Sequence, residues 1–315
     1  MIKKKVLIVG FGSAGKRHAS NAVLLGYQVV IVTSINQSKF PCYSSLEQAI
    51  IKEEPQYAII ASPTYRHVSE LKICRSYNIP CLVEKPLSTT EVNLNLKDND
   101  SPTDTRYFVA YLMRYHPLVK KLKLDLPSIG RLYDANLSSG QYLPWWRPDS
   151  DYRKCYSAFA EQGGGVLLDS SHEIDLINYL FGDVSALTAL SGHVSSLDIN
   201  SDDIANVIIE MSSGQLVQLN LNYINQIPER KIIINGEHGS IHIDFINNRY
   251  QSFINNKSID KLFKVDRNQI FIDELFDFFE NPQDCLLPDL KESLVSLKII
   301  DAIRQSSVER RWIKL

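Results

Sequence analysis

Lys5-Val6-Leu7-Ile8-Val9-Gly10-Phe11-Gly12-Ser13-Ala14-Gly15 decides the fold. Val6 to Val9 form an unbroken apolar run, as in a parallel strand covered on both faces. The run passes directly into three glycines spaced Gly10-x-Gly12-x-x-Gly15, and residues 16–25 are helix-compatible up to the stop at Gly26. A glycine triplet by itself is a weak signal and could be a plain turn. One that follows a buried strand and opens a helix meets the context required of a dinucleotide-binding loop. There Gly10 permits the tight turn, Gly12 lets the backbone approach a pyrophosphate, and Gly15 lets the helix pack close to the strand. Backbone N–H groups of Phe11, Gly12, Ser13 and Ala14, at a helix N-terminus, are then the phosphate donors.

Working outward, residues 29–32, 57–61, 80–83 and 107–110 read as further strands, with 45–52 and 67–77 long enough for crossover helices. This alternation predicts an α/β, doubly wound parallel sheet of Rossmann type over residues 1–118. Just after the second strand stand Thr33-Ser34-Ile35-Asn36, with no acid to hold ribose hydroxyls. Ser34 there leaves NAD and NADP both open, with a lean to NADP because no carboxylate repels a 2′-phosphate. Lys39 is the nearest cation, and as a lone loop lysine it reads as a solvated side chain ahead of a phosphate ligand.

Residues 119–315 read differently. Segments 130–139, 205–211, 215–222, 231–235 and 240–245 alternate apolar and polar residues, the period of half-buried antiparallel strands. Ser212-Ser213-Gly214 and Glu237-His238-Gly239 mark turns between them. Residues 270–279 and 294–303 read as closing amphipathic helices. The second domain is therefore expected to be α+β, with an open-faced, mainly antiparallel sheet. Ile208, Leu219, Leu221 and Ile233 are candidates for its faces, and pairing through an open face predicts a homodimer or homotetramer.

Bulk properties narrow the function. A length of 315 residues suits two domains, and 44% hydrophobic against 22% charged residues excludes a disordered chain. A formal net charge of −2 gives no general pull toward nucleic acid or anionic membrane, so an anionic ligand must be captured locally. Lys3, Lys4 and Lys5 precede too short an apolar run for a signal peptide, and no stretch approaches a membrane span. Five cysteines with no close pair point to a reduced, cytoplasmic protein and away from zinc.

Two segments carry candidate chemistry. Val83-Glu84-Lys85-Pro86 lies at the carboxyl end of the fourth strand, where open α/β sheets place their ligands. Gly163-Gly164-Gly165 leads into a helix-periodic stretch ending near Phe181-Gly182, and Asp169 and His172, three apart, are expected on one helical face. Oxidising an alcohol means removing its proton as hydride leaves, and a histidine can exchange that proton near neutral pH. A lysine can stabilise the developing alkoxide. Asp169 could instead be a first-turn acid facing the helix dipole. His18, His67 and His116, taken singly, read as structural. Trp145-Trp146-Arg147-Pro148 could stack on a sugar ring or plug a domain surface.

Taken together, Gly10-x-Gly12-x-x-Gly15-x-x-His18, Pro63-Thr64-x-x-His67, Glu84-Lys85-Pro86, Tyr111-x-x-Arg114-x-His116-Pro117 and the glycine-led Asp169 and His172 resemble the Gfo/Idh/MocA oxidoreductases. The motifs occur in the family's order over most of the chain. The resemblance implies a Rossmann domain followed by an open-faced sheet that often serves in oligomerisation, and oxidation or reduction of a sugar, cyclitol or nucleotide-linked sugar. By position, Lys85 matches the active-site lysine, His172 the acid/base histidine and Asp169 its companion. Ser62, Pro63, Thr64, His67, Glu84 and Arg114 fall among the positions expected around the cofactor. Asp169-Ser170-Ser171-His172 is one residue shorter than the Asp-x-Gly-x-His form, and resembles members associated with surface-glycan sugars. The implied partner is a small-molecule sugar. Rival readings are a cofactor-binding regulatory protein without turnover, and a reductase of a non-sugar carbonyl or imine. Retention of both Lys85 and His172 favours an enzyme.

Overall fold

The fold is that of a computed structural model describing residues 4–35, 39–91, 106–146 and 148–315. In chain order its first elements are β1 (Lys5–Val9), α1 (Ser13–Leu24), β2 (Gln28–Val32), β3 (Cys42–Tyr43), α2 (Leu46–Glu53), β4 (Tyr57–Ile60), α3 (Thr64–Ser76), β5 (Cys81–Val83) and β6 (Tyr107–Val109). Then follow α4 (Pro117–Asp125), β7 (Leu132–Gly140), α5 (Val166–Asp169), α6 (Ser171–Phe181), β8 (Val184–Gly192), β9 (Ile204–Met211) and β10 (Leu216–Asn222). The chain closes with β11 (Glu229–Gly236), β12 (Gly239–Asp244), β13 (Arg249–Ile254), β14 (Lys257–Leu262), α7 (Arg267–Glu280), α8 (Leu290–Glu309) and β15 (Ile313–Lys314).

The elements divide into two compact units, Met1–Tyr115 with Asp266–Leu294, and His116–Val265 with Val295–Leu315. In the first, six parallel strands lie in the order β3-β2-β1-β4-β5-β6. Leu7 and Ile8 at its centre are fully buried, which is why β1 reads as continuous apolar sequence. Sequence reading ended the first domain at 118, yet residues 266–294 group with it. The reason is aromatic. Tyr27 stacks on Phe279 at 4.2 Å between centroids, and Tyr57 meets Phe278 and Phe279 edge-on. The two-residue strand β3 left no readable pattern, and α3 starts at Thr64 rather than 67, because Pro63 supplies its N-cap directly after β4.

In the second unit nine strands lie in the order β14-β13-β12-β11-β7-β10-β9-β8-β15. All neighbours are antiparallel except β7 with β10. Strands β8, β13, β14 and β15 were not legible beforehand; β14, for example, is exposed at every residue and shows no alternation. The four face candidates split. Leu219 and Leu221 are buried, whereas Ile208 is 47% exposed and Ile233, opposite Asn136, is half-buried. Asn136 and Asn220 bond to Gln218 and Asn206 on that open side, so it is more polar than expected. Helix α5 packs against β9 and β10, and α6 against β7. Among the described residues no helix is long and apolar enough to cross a membrane, no cluster could hold a metal, and the five cysteines are free.

Candidate active site

The glycine loop has the shape its spacing implies. Gly10, at φ +95°, hydrogen-bonds through its N–H to Val32 O, and a Cβ there would stand 2.5 Å from Ala61 O. A Cβ on Gly15 would stand 2.1 Å from Gly10 O, so only glycine lets α1 sit this close to the loop. Gly12 differs, since nothing lies within 4 Å of where its Cβ would be. It is the N-cap of α1 with no side-chain capping bond, and the first turn holds no acid. An exposed helix N-terminus lined by bare backbone N–H groups fits a diphosphate. Phe11 closes one side of the loop, edge-on to Phe40. Ser34 is exposed just beyond β2, and Asn36 lies outside the described residues.

Beside this loop, at the carboxyl edge of the same sheet, the turns after β4 and β5 are tied together. His67 is almost fully buried, with Nε2 at 2.8 Å from Ser62 O and Nδ1 at 2.9 Å from Pro86 O. Burial pushes its pKa down against those two carbonyls and Glu84, and a neutral ring can donate to only one of them. Ser62 donates its hydroxyl to Glu70, which Arg66 also pairs. Pro63 is exposed and Thr64 buried at the start of α3. Glu84 accepts from the Lys85 N–H at 3.3 Å, and its Oε1 lies 2.7 Å from His18 Nε2. Burial pushes the Glu84 carboxyl up, but the His18 hydrogen bond, with the Lys85 charge beside it, outweighs burial and leaves it below its ordinary value. Lys85 is half-buried and precedes a cis peptide bond to Pro86. Arg114, expected near the cofactor, is 2% exposed and directs its guanidinium to Glu292 at 2.9 Å and to Leu286 O.

In the second unit, the glycine run is explained by packing. Gly164 would collide with Tyr156 O if it carried a Cβ, and Gly165, at φ +114°, with Asp202. Asp202 then accepts from the Leu167 N–H at 2.9 Å and starts α5. Sequence reading placed Asp169 and His172 on one helical face; the structure corrects this. Asp169 ends α5, Ser170 breaks the helix, and His172 is the second residue of α6, half-buried. Asp169 is flanked by phenols that spacing gave no means of finding. Tyr156 donates to Oδ1 and Tyr223 to Oδ2, each at 2.6 Å. Burial, then the Asp169 charge, pushes the Tyr223 phenol well up. Trp146 lies edge-on to Tyr223 at 5.1 Å, while Trp145 faces outward at 50% exposure; Arg147 lies outside the described residues.

A family model described as "Oxidoreductase family, NAD-binding Rossmann fold" matches residues 4–97, and one described as "Oxidoreductase family, C-terminal alpha/beta domain" matches 128–315. The chain belongs to the Gfo/Idh/MocA oxidoreductases. A curated relative, 2,7-anhydro-N-acetylneuraminate hydratase of Escherichia coli K12, is 23% identical over 208 residues, which is 64% of this chain and 55% of that protein. The chain thus spans about half the length of the curated relatives it matches. Among solved structures, levoglucosan dehydrogenase in complex with NADH and levoglucosan superposes with a TM-score of 0.86 at 18% identity, over 99% of both chains. WlbA dehydrogenase from Bordetella pertussis, in complex with NADH and UDP-GlcNAcA, superposes at 0.80 and 18% identity, over 99% of this chain and 98% of that one. This Gfo/Idh/MocA member therefore shares their fold.

Proposed function

We propose that this Gfo/Idh/MocA oxidoreductase transfers hydride between NAD(H) and a hydroxyl or ketone carbon of a sugar. The observation that carries the reading is the carboxyl edge of the first unit, where an uncapped helix N-terminus at Gly12 lies on the same sheet edge as Lys85, whose backbone N–H bonds to a Glu84 paired with His18. When bound, the nicotinamide supplies the hydride acceptor or donor. Lys85 stabilises the negative charge on the reacting oxygen, and His172 takes or returns its proton. Asp169, through its two phenols, fixes the loop before α6. Trp146 beside Tyr223 offers aromatic surface for a sugar ring. A nucleotide-linked or surface-glycan precursor sugar is our preferred substrate class, in the cytoplasm, with subunits pairing through the open sheet face around Ile208 and Leu216. The cofactor is NAD(H), and NADP(H) is an open alternative at Ser34.

The test is a substrate panel of free sugars, anhydro sugars and nucleotide-linked sugars, each with NAD and NADP, read as reduced cofactor formed. Mass spectrometry of nucleotide released from the purified protein runs alongside. Turnover confined to one sugar class supports the reading. Tight cofactor binding with no turnover on any class would favour a regulatory protein.

A further inference from the structure

Helix α7 carries a carboxyl with no part in the account above. Glu274 is fully buried, and neither carboxyl oxygen has a hydrogen-bond partner among the described residues. An ionised carboxylate in that condition is costly, so the group keeps its proton. Burial pushes its pKa well up, and the charge of Glu84 pushes the same way.

A second orphan lies on α1. His18 is fully buried, and while Nε2 faces Glu84, Nδ1 has no partner among the described residues. The Phe271 ring meets the His18 ring edge-on at 6.2 Å between centroids, and Glu274 follows Phe271 by one turn on the same face of α7. The orphaned nitrogen thus lies on α1 where it meets α7, and the orphaned carboxyl lies one turn along α7 from that ring contact, near enough to Glu84 to feel its charge. The other titratable or charged groups around it are Glu84 and Lys85 at the end of β5, His67 of α3 beside Glu84, Tyr115, Asp277 of α7, and Arg17 over the Phe271 ring. Since Glu84 is an acceptor, Nε2 bears the proton, and Nδ1 of a neutral ring is then itself an acceptor.

We propose that Glu274 is a positioning residue of the Lys85 site. Its protonated carboxyl donates to His18 Nδ1 through one buried water, and so locks the ring in the tautomer whose Nε2–H holds Glu84 ionised behind Lys85. The proposal rests on the reading of Lys85 as a substrate-facing group.

The experiment is ¹⁵N NMR of the histidine-labelled, cofactor-free full chain at neutral pH, with His18 assigned through His18→Gln. Wild type and Glu274→Gln, whose amide can still donate, should show a single Nε2–H tautomer for His18. Glu274→Met, which has no donor, should show mixed tautomers. Its kcat should fall about tenfold while cofactor Kd stays within a few-fold, and Glu274→Gln should remain within about threefold of wild type. An Nδ1–H tautomer or an imidazolium in wild type, or an unchanged tautomer in Glu274→Met, overturns the proposal. A tautomer lost with kcat intact overturns the link to Lys85. Should Glu274→Met not fold, the wild-type spectrum and the infrared band of a protonated carboxyl, present in wild type and missing from Glu274→Gln, decide the matter. The NMR and infrared arms need no substrate, so failure of every sugar to turn over would remove the proposed function without touching them.

Discussion

His18 Nε2 on α1 lies 2.7 Å from Glu84 Oε1 at the end of β5. That contact links the helix behind the glycine loop to the residue that precedes Lys85. Because the Glu84 carboxyl sits below its ordinary value, its ionised form stabilises the fold. The contribution is present above the ordinary carboxylate pKa of about 4.3 and is lost as pH falls through the lower folded value. Glu84→Gln should therefore lower stability by about 1–3 kcal/mol at neutral pH, with the difference from wild type shrinking below about pH 4. Urea denaturation of both proteins across pH measures it, and a pH-independent difference would contradict the assignment.

The glycines of the loop should separate by phenotype. Gly12→Val adds its side chain to open space, so Tm should stay within about 2 °C while affinity for NADH and NADPH falls at least about tenfold, because the diphosphate must lie there. Gly15→Val drives a side chain into Gly10 O and should cost several kcal/mol, about 3 or more. Thermal melts with cofactor titration distinguish the two, and unchanged binding in folded Gly12→Val would rule the cradle out.

Ser34 stands just past β2 without a carboxylate nearby to choose between cofactors. Ser34→Asp should repel a 2′-phosphate and move the ratio of NADPH to NADH dissociation constants by about tenfold toward NAD. A ratio that does not move would place the ribose elsewhere.

His116 caps α4, with Nδ1 accepting from the Leu118 N–H, and burial, then the Arg230 charge, lowers its pKa to about 4. Its folded value lies below the unfolded one near 6.5, so the neutral ring is the stabilising form. Stability should be complete above about pH 6.5 and decline as pH falls toward 4, by up to about 3 kcal/mol. His116→Asn keeps a capping oxygen but does not titrate, and should flatten that part of the profile. Urea midpoints between pH 4 and 7 test this, and identical slopes would contradict it.

The first unit was legible in the sequence wherever burial or glycine geometry writes a pattern. The run Val6 to Val9 and the glycines at 10, 12 and 15 announced strand, loop and helix, and Val83-Glu84-Lys85-Pro86 announced the carboxyl end of β5. Contacts between distant residues were not legible. No spacing rule brings Tyr156 and Tyr223 to Asp169, or Glu274 to the neighbourhood of Glu84. The break at Ser170 was invisible because a three-residue separation reads the same in one helix or across two. Helix α7 joined the first unit through aromatic packing with Tyr27 and Tyr57, which periodicity cannot assign to a partner.

The function proposed above requires both Lys85 and His172 for the same turnover. The measurement is kcat/KM and cofactor Kd for Lys85→Met, His172→Ala and the double variant on the sugar that turns over. Each single change should cost about 10²–10⁴ in rate with cofactor Kd within a few-fold, and the double variant should lose far less than the product of the two. Asp169→Asn should be milder, since it disturbs the Tyr156 and Tyr223 hydrogen bonds rather than deleting a proton carrier. Near-wild-type turnover in His172→Ala, or losses that simply multiply in the double variant, would contradict the account.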